Sequence, residues 1–203
     1  MKIFLTLFVL FFSSSVLTDD ISDFEIEGFS IGDDLLNHFT EEEIISNVNF
    51  EKNLSYDSFS INPTNSNLYT FKLSDFDAIG ITYESPEGHG SLLKLKNSKK
   101  KYTIESIRAV IEFPNNIDQC MILKKDIEVD INNLLNNADL ENKTINHESD
   151  KTGNSKVYQS IFFIDYYSLV KVECYDWTEE MGYMDHLSLI LYSKDYIDWI
   201  LEK

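Results

Sequence analysis

Residues 157–177 read VYQSIFFIDYYSLVKVECYDW. Val157 to Ile164 and Ser168 to Tyr175 are runs rich in β-branched and aromatic residues, divided only by Asp165-Tyr166-Tyr167. Such runs suit a pleated, half-buried surface. A connection this short joins antiparallel neighbours, because a parallel return needs a crossover of a dozen or more residues. Within the second run, Val170, Val172 and Cys174 alternate with Lys171, Glu173 and Tyr175. One face of that strand is therefore apolar and the other polar. Downstream, Leu187, Leu189 and Leu191 alternate in a further strand. Ser193 then caps a terminal helix presenting Tyr196, Trp199 and Ile200.

Upstream, Pro114-Asn115-Asn116 ends a strand and opens a helix. Its apolar face is Ile117, Cys120, Leu123, Ile127, Ile131 and Leu134, spaced by three and four residues. The helix fades through the Asn-rich stretch Asn132 to Asn142, and polar residues 142–155, with Gly153, read as an exposed loop. Strands are expected at Leu68–Leu73, Phe76–Glu84, Leu92–Lys96 and Tyr102–Phe113. The loop Ser85–Gly90 and the turn Asn97–Lys101 separate the middle ones, and Asn62–Asn67 is a turn-rich break. Nearer the N-terminus, Phe24 and Ile26 alternate with acids in a half-buried strand. Gly28 and Gly32 bracket a turn, and Asp33 is placed to cap a short helix carrying Leu35, Leu36 and Phe39. Thr40-Glu41-Glu42-Glu43 has capping-box spacing and is expected to start a second helical turn with Ile44, Ile45 and Val48. The order predicts an α+β fold over residues 19–203: one domain, a mostly antiparallel sheet, a long central helix, and shorter helices packed on one face.

The 203-residue chain has 17 basic and 35 acidic side chains, a formal charge of −18, and 43% hydrophobic residues. That much apolar material excludes a wholly disordered class, and only 7 Gly and 3 Pro exclude a collagen-like one. The acidity argues against nucleic acid, since phosphate contacts need clustered Lys and Arg. Met1-Lys2, an apolar run from Ile3 to Phe12 and a small-residue exit read as a signal peptide over residues 1–18, cut after Thr18 or after Ser15. The run is too short to span a bilayer, which takes about 20 residues. Removing it takes away one charged group, Lys2, so the exported chain is one unit more acidic than −18. Lys94, Lys96, Lys99, Lys100 and Lys101 form the one basic run. It reads as turn lysines that deter edge pairing, or as a dock for an anionic surface.

The two cysteines are Cys120 and Cys174. In an oxidising compartment an even pair reads as one disulfide, and the periodicity turns both toward a core. Two separately buried thiols are the alternative.

The stretches FEIEGFSIGDDLLNHFTEEEI, NNIDQC and VECYDW resemble a family of small exported bacterial proteins with no assigned activity. Gly28, Ser30, Ile31, Gly32, Asp33, Leu35, Leu36 and Phe39 carry its first motif, Cys120 the second, and Cys174, Tyr175, Asp176 and Trp177 the third. The segment Ser85–Leu93 departs from the pattern. The resemblance implies a bacterial envelope compartment and a paired role for the cysteines. It implies no catalytic residues.

Phosphate-loop, dinucleotide, nucleophile-elbow, zinc-protease and calcium-loop motifs are absent from the sequence. No catalytic residue, metal ligand set or cofactor is assigned. The richest polar cluster is Glu173, Asp176, Glu179, Glu180, Asp185 and His186 around Tyr175 and Trp177. Carboxylates near a histidine suit acid–base work or a cation, but in so acidic a chain they also fit a solvated loop. Arg108 has the fork for a ligand carboxylate, and an ion pair with one of the many acids is the plainer reading. His89, between two glycines, sits at a loop tip that reads as a binding tip or a plain turn. Asn53-Leu54-Ser55 and Asn142-Lys143-Thr144 are glycosylation sequons, relevant only in a eukaryote. The leading expectation is a non-catalytic envelope binding module with a protein or small-molecule partner and no membrane insertion of the exported chain. The alternatives are a small hydrolase using Asp176, Asp185 and His186, and a protein inhibitor using residues 85–91.

Overall fold

The computed structural model describes residues 20–46, 48–49, 56–61, 73–84, 102–135, 138–164 and 168–202. The signal peptide, the strands expected over 68–72 and 92–96, the loop 85–91 with His89, the Lys94–Lys101 run and the sequon at Asn53 lie outside the described residues.

The strands are β1 (Glu25–Ile26), β2 (Phe29–Ser30), β3 (Val48–Asn49), β4 (Tyr56–Ile61), β5 (Ala78–Glu84), β6 (Thr103–Glu112), β7 (Asp139–Asn146), β8 (Lys156–Phe163), β9 (Leu169–Asp176) and β10 (His186–Tyr192). The helices are α1 (Glu41–Ser46), α2 (Ile117–Leu134) and α3 (Lys194–Leu201). β1 and β2 form a hairpin, and the other eight strands form one sheet in the order β3-β4-β5-β6-β10-β9-β8-β7. Every pairing in it is antiparallel. The expected hairpin is β8–β9, with Val157 opposite Tyr175 and Phe163 opposite Leu169.

The fold is α+β in the coarse sense: mostly antiparallel sheet with few helices. The expected helical layer, a long central helix with shorter ones beside it, does not form as such. α2 packs against β9 and β10, while α1 has six residues and α3 eight. The segment expected as a helix from Asp33 is instead a 3-10 turn, Leu35–Asn37, capped by Asp34. Its backbone is taken by β6: Gly32 N–H donates to Ile104 O at 2.8 Å and Leu35 N–H to Tyr102 O at 2.9 Å. A backbone paired to a strand is not free to continue a helix. Gly28 and Gly32 do not bracket one turn either. Glu27 and Gly28, at φ 52° and 87°, make the tight β1–β2 turn, a conformation glycine adopts without a side-chain clash. The Glu27 carboxylate then accepts from Ser74 N–H at 2.8 Å and Asp75 N–H at 2.7 Å, tying this hairpin to the approach of β5. The capping box at α1 forms as expected, Thr40 N–H donating to Glu43 Oε2 at 2.8 Å.

One core runs from Ile21 to Leu191 and lies on the α2 face of the sheet. Cys120 of α2 and Cys174 of β9 are both fully buried and joined by a disulfide, Cα–Cα 6.0 Å. Asn116 caps α2, its Oδ1 accepting from Gln119 N–H at 3.2 Å. Beside the disulfide, buried Lys124 bonds Glu128 and donates to Ser160 Oγ at 2.5 Å. Burial works against the charged form of Glu128, yet the Lys124 and Ser160 bonds and the lysine charges hold its carboxyl below the ordinary value.

The strands depart from the sequence reading at several places. Residues 56–61 carried no strand expectation yet form β4, and Val48, expected in the helical turn after Thr40, opens β3, where it pairs with Phe59. The register of β5 on β6 shifts between Thr82 and Tyr83, so Ser106 and Ile104 face successive residues and Glu105 is the extra one. This bulge turns Ile104 to the core with Ile107, and so off the Arg108 face. β7 departs as well: it occupies residues expected as the fading end of the helix, up to Asn142, and as exposed loop beyond it.

Candidate functional site

The face of the sheet opposite α2 carries the alternate residues of three adjacent strands: Arg108 and Glu112 of β6, His186 and Ser188 of β10, and Glu173 and Tyr175 of β9. Period-two alternation puts them there, out of phase with Cys174, Leu187 and Ala109 on the core side. His186 lies opposite Tyr175, and their rings stack at 4.3 Å and 10°. The Arg108 guanidinium sits 5.4 Å from the Tyr175 ring centroid. Its Nε–H donates to Ser188 Oγ at 3.0 Å, and its Nη2 lies 3.4 Å from His186 Nε2. Among the described residues no carboxylate pairs with Arg108, so its expected ion pair is replaced by hydrogen bonds and an aromatic ring. The neighbouring acid, Glu173, is 3% exposed and already satisfied. It accepts from Gln159 Nε2 at 2.6 Å and from Tyr175 O–H at 2.7 Å.

His186 Nδ1 is 3.0 Å from Met184 O, a group that only accepts, so Nδ1 carries the proton. Nε2 then presents its lone pair to Arg108. Burial, with the Arg108 charge behind it, lowers the His186 pKa from 6.5, against the opposing pull of Met184 O, Asp185 and Glu173. Burial and the Glu173 charge push Tyr175 up beyond the ordinary phenol range, and Tyr192 up to about 12. The face thus holds neutral rings around one guanidinium at neutral pH.

Beyond His186 the aromatic row continues into a cleft of about 320 Å³ lined by Val110, Glu112, Trp177, Tyr183, Met184 and His186. Trp177 packs on His147 at 4.1 Å and on Tyr183 at 4.8 Å. Tyr183 follows Gly182, which ends the 3-10 turn Glu179–Met181 at φ 70°. His147 Nδ1 accepts from Ser149 N–H at 3.2 Å. The Trp177 Nε1–H is shut off from solvent and has no acceptor among the described residues. Glu112 is exposed and is the one acidic group among the described residues that line the cleft.

Of the residues singled out in the sequence, Arg108, His186 and Trp177 converge with Glu173 and Tyr175. Asp176 does not join them. It takes the phase of Cys174, and Tyr158 O–H on the core side donates to its Oδ2 at 3.4 Å. Burial first, then the Asp185 charge, raises its pKa. Asp185 is buried, and its Oδ1 accepts from Trp177 N–H at 2.9 Å, which fixes the chain between β9 and β10. Strand phase therefore puts Asp176 and His186 on opposite faces of the sheet. Glu179 and Glu180 are exposed on the 3-10 turn. Among the described residues no group of three His, Cys, Asp or Glu side chains is placed to hold a metal ion. No described helix is long and apolar enough to cross a membrane.

Sequence reasoning missed Ser188, Gln159, Glu112, Tyr183 and His147. The first three carried a legible signal, the polar phase of their strands. Tyr183 and His147 come from connections, where no period operates. Comparison with protein-family models, curated proteins and solved structures finds no match to the chain.

Proposed function

We propose that the chain is a non-catalytic binding module of the bacterial envelope, and that the Trp177–Tyr183 cleft takes a basic segment of a protein partner. The observation that carries this is the chemistry left open in the cleft. Glu112 supplies an exposed carboxylate beside the rings of Trp177, Tyr183 and His186. A lysine or arginine side chain suits both, through charge and ring faces together. A net charge of −18 steers basic partners toward the molecule and nucleic acid away from it. The single disulfide accords with an oxidising compartment.

The test is an NMR titration of the Trp177 indole N–H, assigned by W177F against Trp199, the other tryptophan. Short peptides with a central lysine, glutamine or glutamate are the probes. The lysine peptide is expected to shift the indole signal as it seats against the ring, and the glutamate peptide to leave it in place. Glu112→Gln should weaken lysine-peptide binding by about fivefold, the scale of one exposed charge contact. Equal shifts with lysine and glutamate would remove the charge argument, and no shift with any peptide would remove the site.

A further inference from the structure

We infer that β7 is a docking edge for a second copy of this chain, forming one continuous sheet across a two-fold axis at Asn142. Three observations converge on it. β7 is the terminal strand of the eight-stranded sheet and pairs with β8 alone among the described strands. All eight of its residues are exposed, and among the described residues no strand pairs with its outer row of N–H and C=O groups. Such an edge is a template for another strand. Exposed apolar side chains also gather along it: Leu140 and Ile145 on β7, and Phe163 on β8 opposite Asp139.

The charge pattern selects the occupant and the register. On one face β7 presents Asp139, Glu141, Lys143 and Ile145, and the Lys143 Nζ lies 3.6 Å from Glu141 Oε1 within the strand. An antiparallel self-pair about a two-fold normal to the sheet keeps each face continuous, so odd residues meet odd and even meet even. Centring the pair on Asn142 sets Glu141 opposite Lys143 of the second copy, twice. Centring it on Lys143 sets lysine against lysine. Centring it on Glu141 pairs Lys143 with Asp139 twice but sets Glu141 against itself, a destabilising like-charge contact that the Asn142 register avoids. Lysine on an edge ordinarily deters pairing. Here it admits one partner, a strand carrying glutamate at the matching place, and β7 itself is such a strand. The same register sets Ile145 of the second copy opposite Asp139, in one row with Phe163 on the far side of β7.

The experiment is sedimentation of the full disulfide-bonded chain across a wide concentration range, with three variants. The parent chain should show a monomer–dimer equilibrium. Glu141→Lys and Lys143→Glu should each weaken dimerisation by about tenfold or more, since two cross-strand pairs turn repulsive at once. The double exchange E141K/K143E rebuilds both pairs with the signs reversed and should restore the parent constant to within about threefold. Both substituted positions are exposed, and circular dichroism verifies the fold of each of the three variants. A chain that stays monomeric throughout, single variants that dimerise like the parent, or a double variant that fails to recover would each overturn the inference.

Discussion

At the residue scale, the chemistry of the site face turns on the contact between Arg108 and His186. A neutral imidazole with Nδ1–H on Met184 O offers its only lone pair to the guanidinium at 3.4 Å. Protonating Nε2 would set two donors and two positive charges together. The lowered His186 pKa follows from burial first and from this contact second. A histidine whose folded pKa lies below its unfolded value contributes stability above the unfolded value. That contribution is lost as the pH falls through the unfolded value toward the folded one. The measurement is an NMR titration of the His186 ring. Its midpoint should lie below 6.5 in the parent chain and rise in Arg108→Gln, because the variant removes the repelling charge while Asp185 and Glu173 remain. A midpoint that stays put or falls in the variant would show burial alone at work. The exposed Tyr183 ring, at 61%, is held differently, by the left-handed Gly182 before it. No pattern in the sequence announces that ring as a cleft wall.

At the scale of elements, the disulfide is the main cross-tie between the helix and the sheet. It links residues 54 apart in sequence. In the chain-entropy account a loop of that length is worth about 4 kcal/mol. Cys120→Ala/Cys174→Ala should therefore lose about that much in urea denaturation, with the slope of the transition changed because the unfolded chain is released. A loss below about 1 kcal/mol would mean that the packing of α2 on β9 carries the stability instead. This pairing was legible because both partners sit in periodic elements, Cys120 at helical spacing and Cys174 in an alternating strand. So were β8, β9 and β10. What escaped has a physical reason in each case. β7, Asp-Leu-Glu-Asn-Lys-Thr-Ile-Asn, is exposed along its whole length, so no apolar face imposes alternation on it. The segment after Asp33 has local helix signals, but β6 claims its N–H and C=O groups, a tertiary bond that local reading does not contain. Asp176 and His186 looked close because they flank one short connection. Strand parity then sends them to opposite sides of the sheet.

At the scale of the whole molecule, the charge of −18 acts on stability and on recognition in opposite ways when salt is added. Like charges spread over a compact body repel, and unfolding relaxes them. Screening that repulsion should raise the urea midpoint as sodium chloride goes from about 0.01 M to about 0.15 M, over which the Debye length falls from about 30 Å to about 8 Å. The exposed pair Lys143–Glu141 weakens over the same range, but surface pairs of this kind contribute little, so the net direction is upward. Urea suits the measurement because it brings no ions of its own. The same salt should slow capture of a lysine peptide at the Trp177 cleft by about tenfold, through the on-rate, while the off-rate, set by Glu112 and the ring faces, changes less. The two readouts have opposite signs and a common cause. A midpoint that falls with salt would place the stability in local ion pairs. A peptide on-rate indifferent to salt would confine recognition to the cleft, with no role for the field of the whole chain.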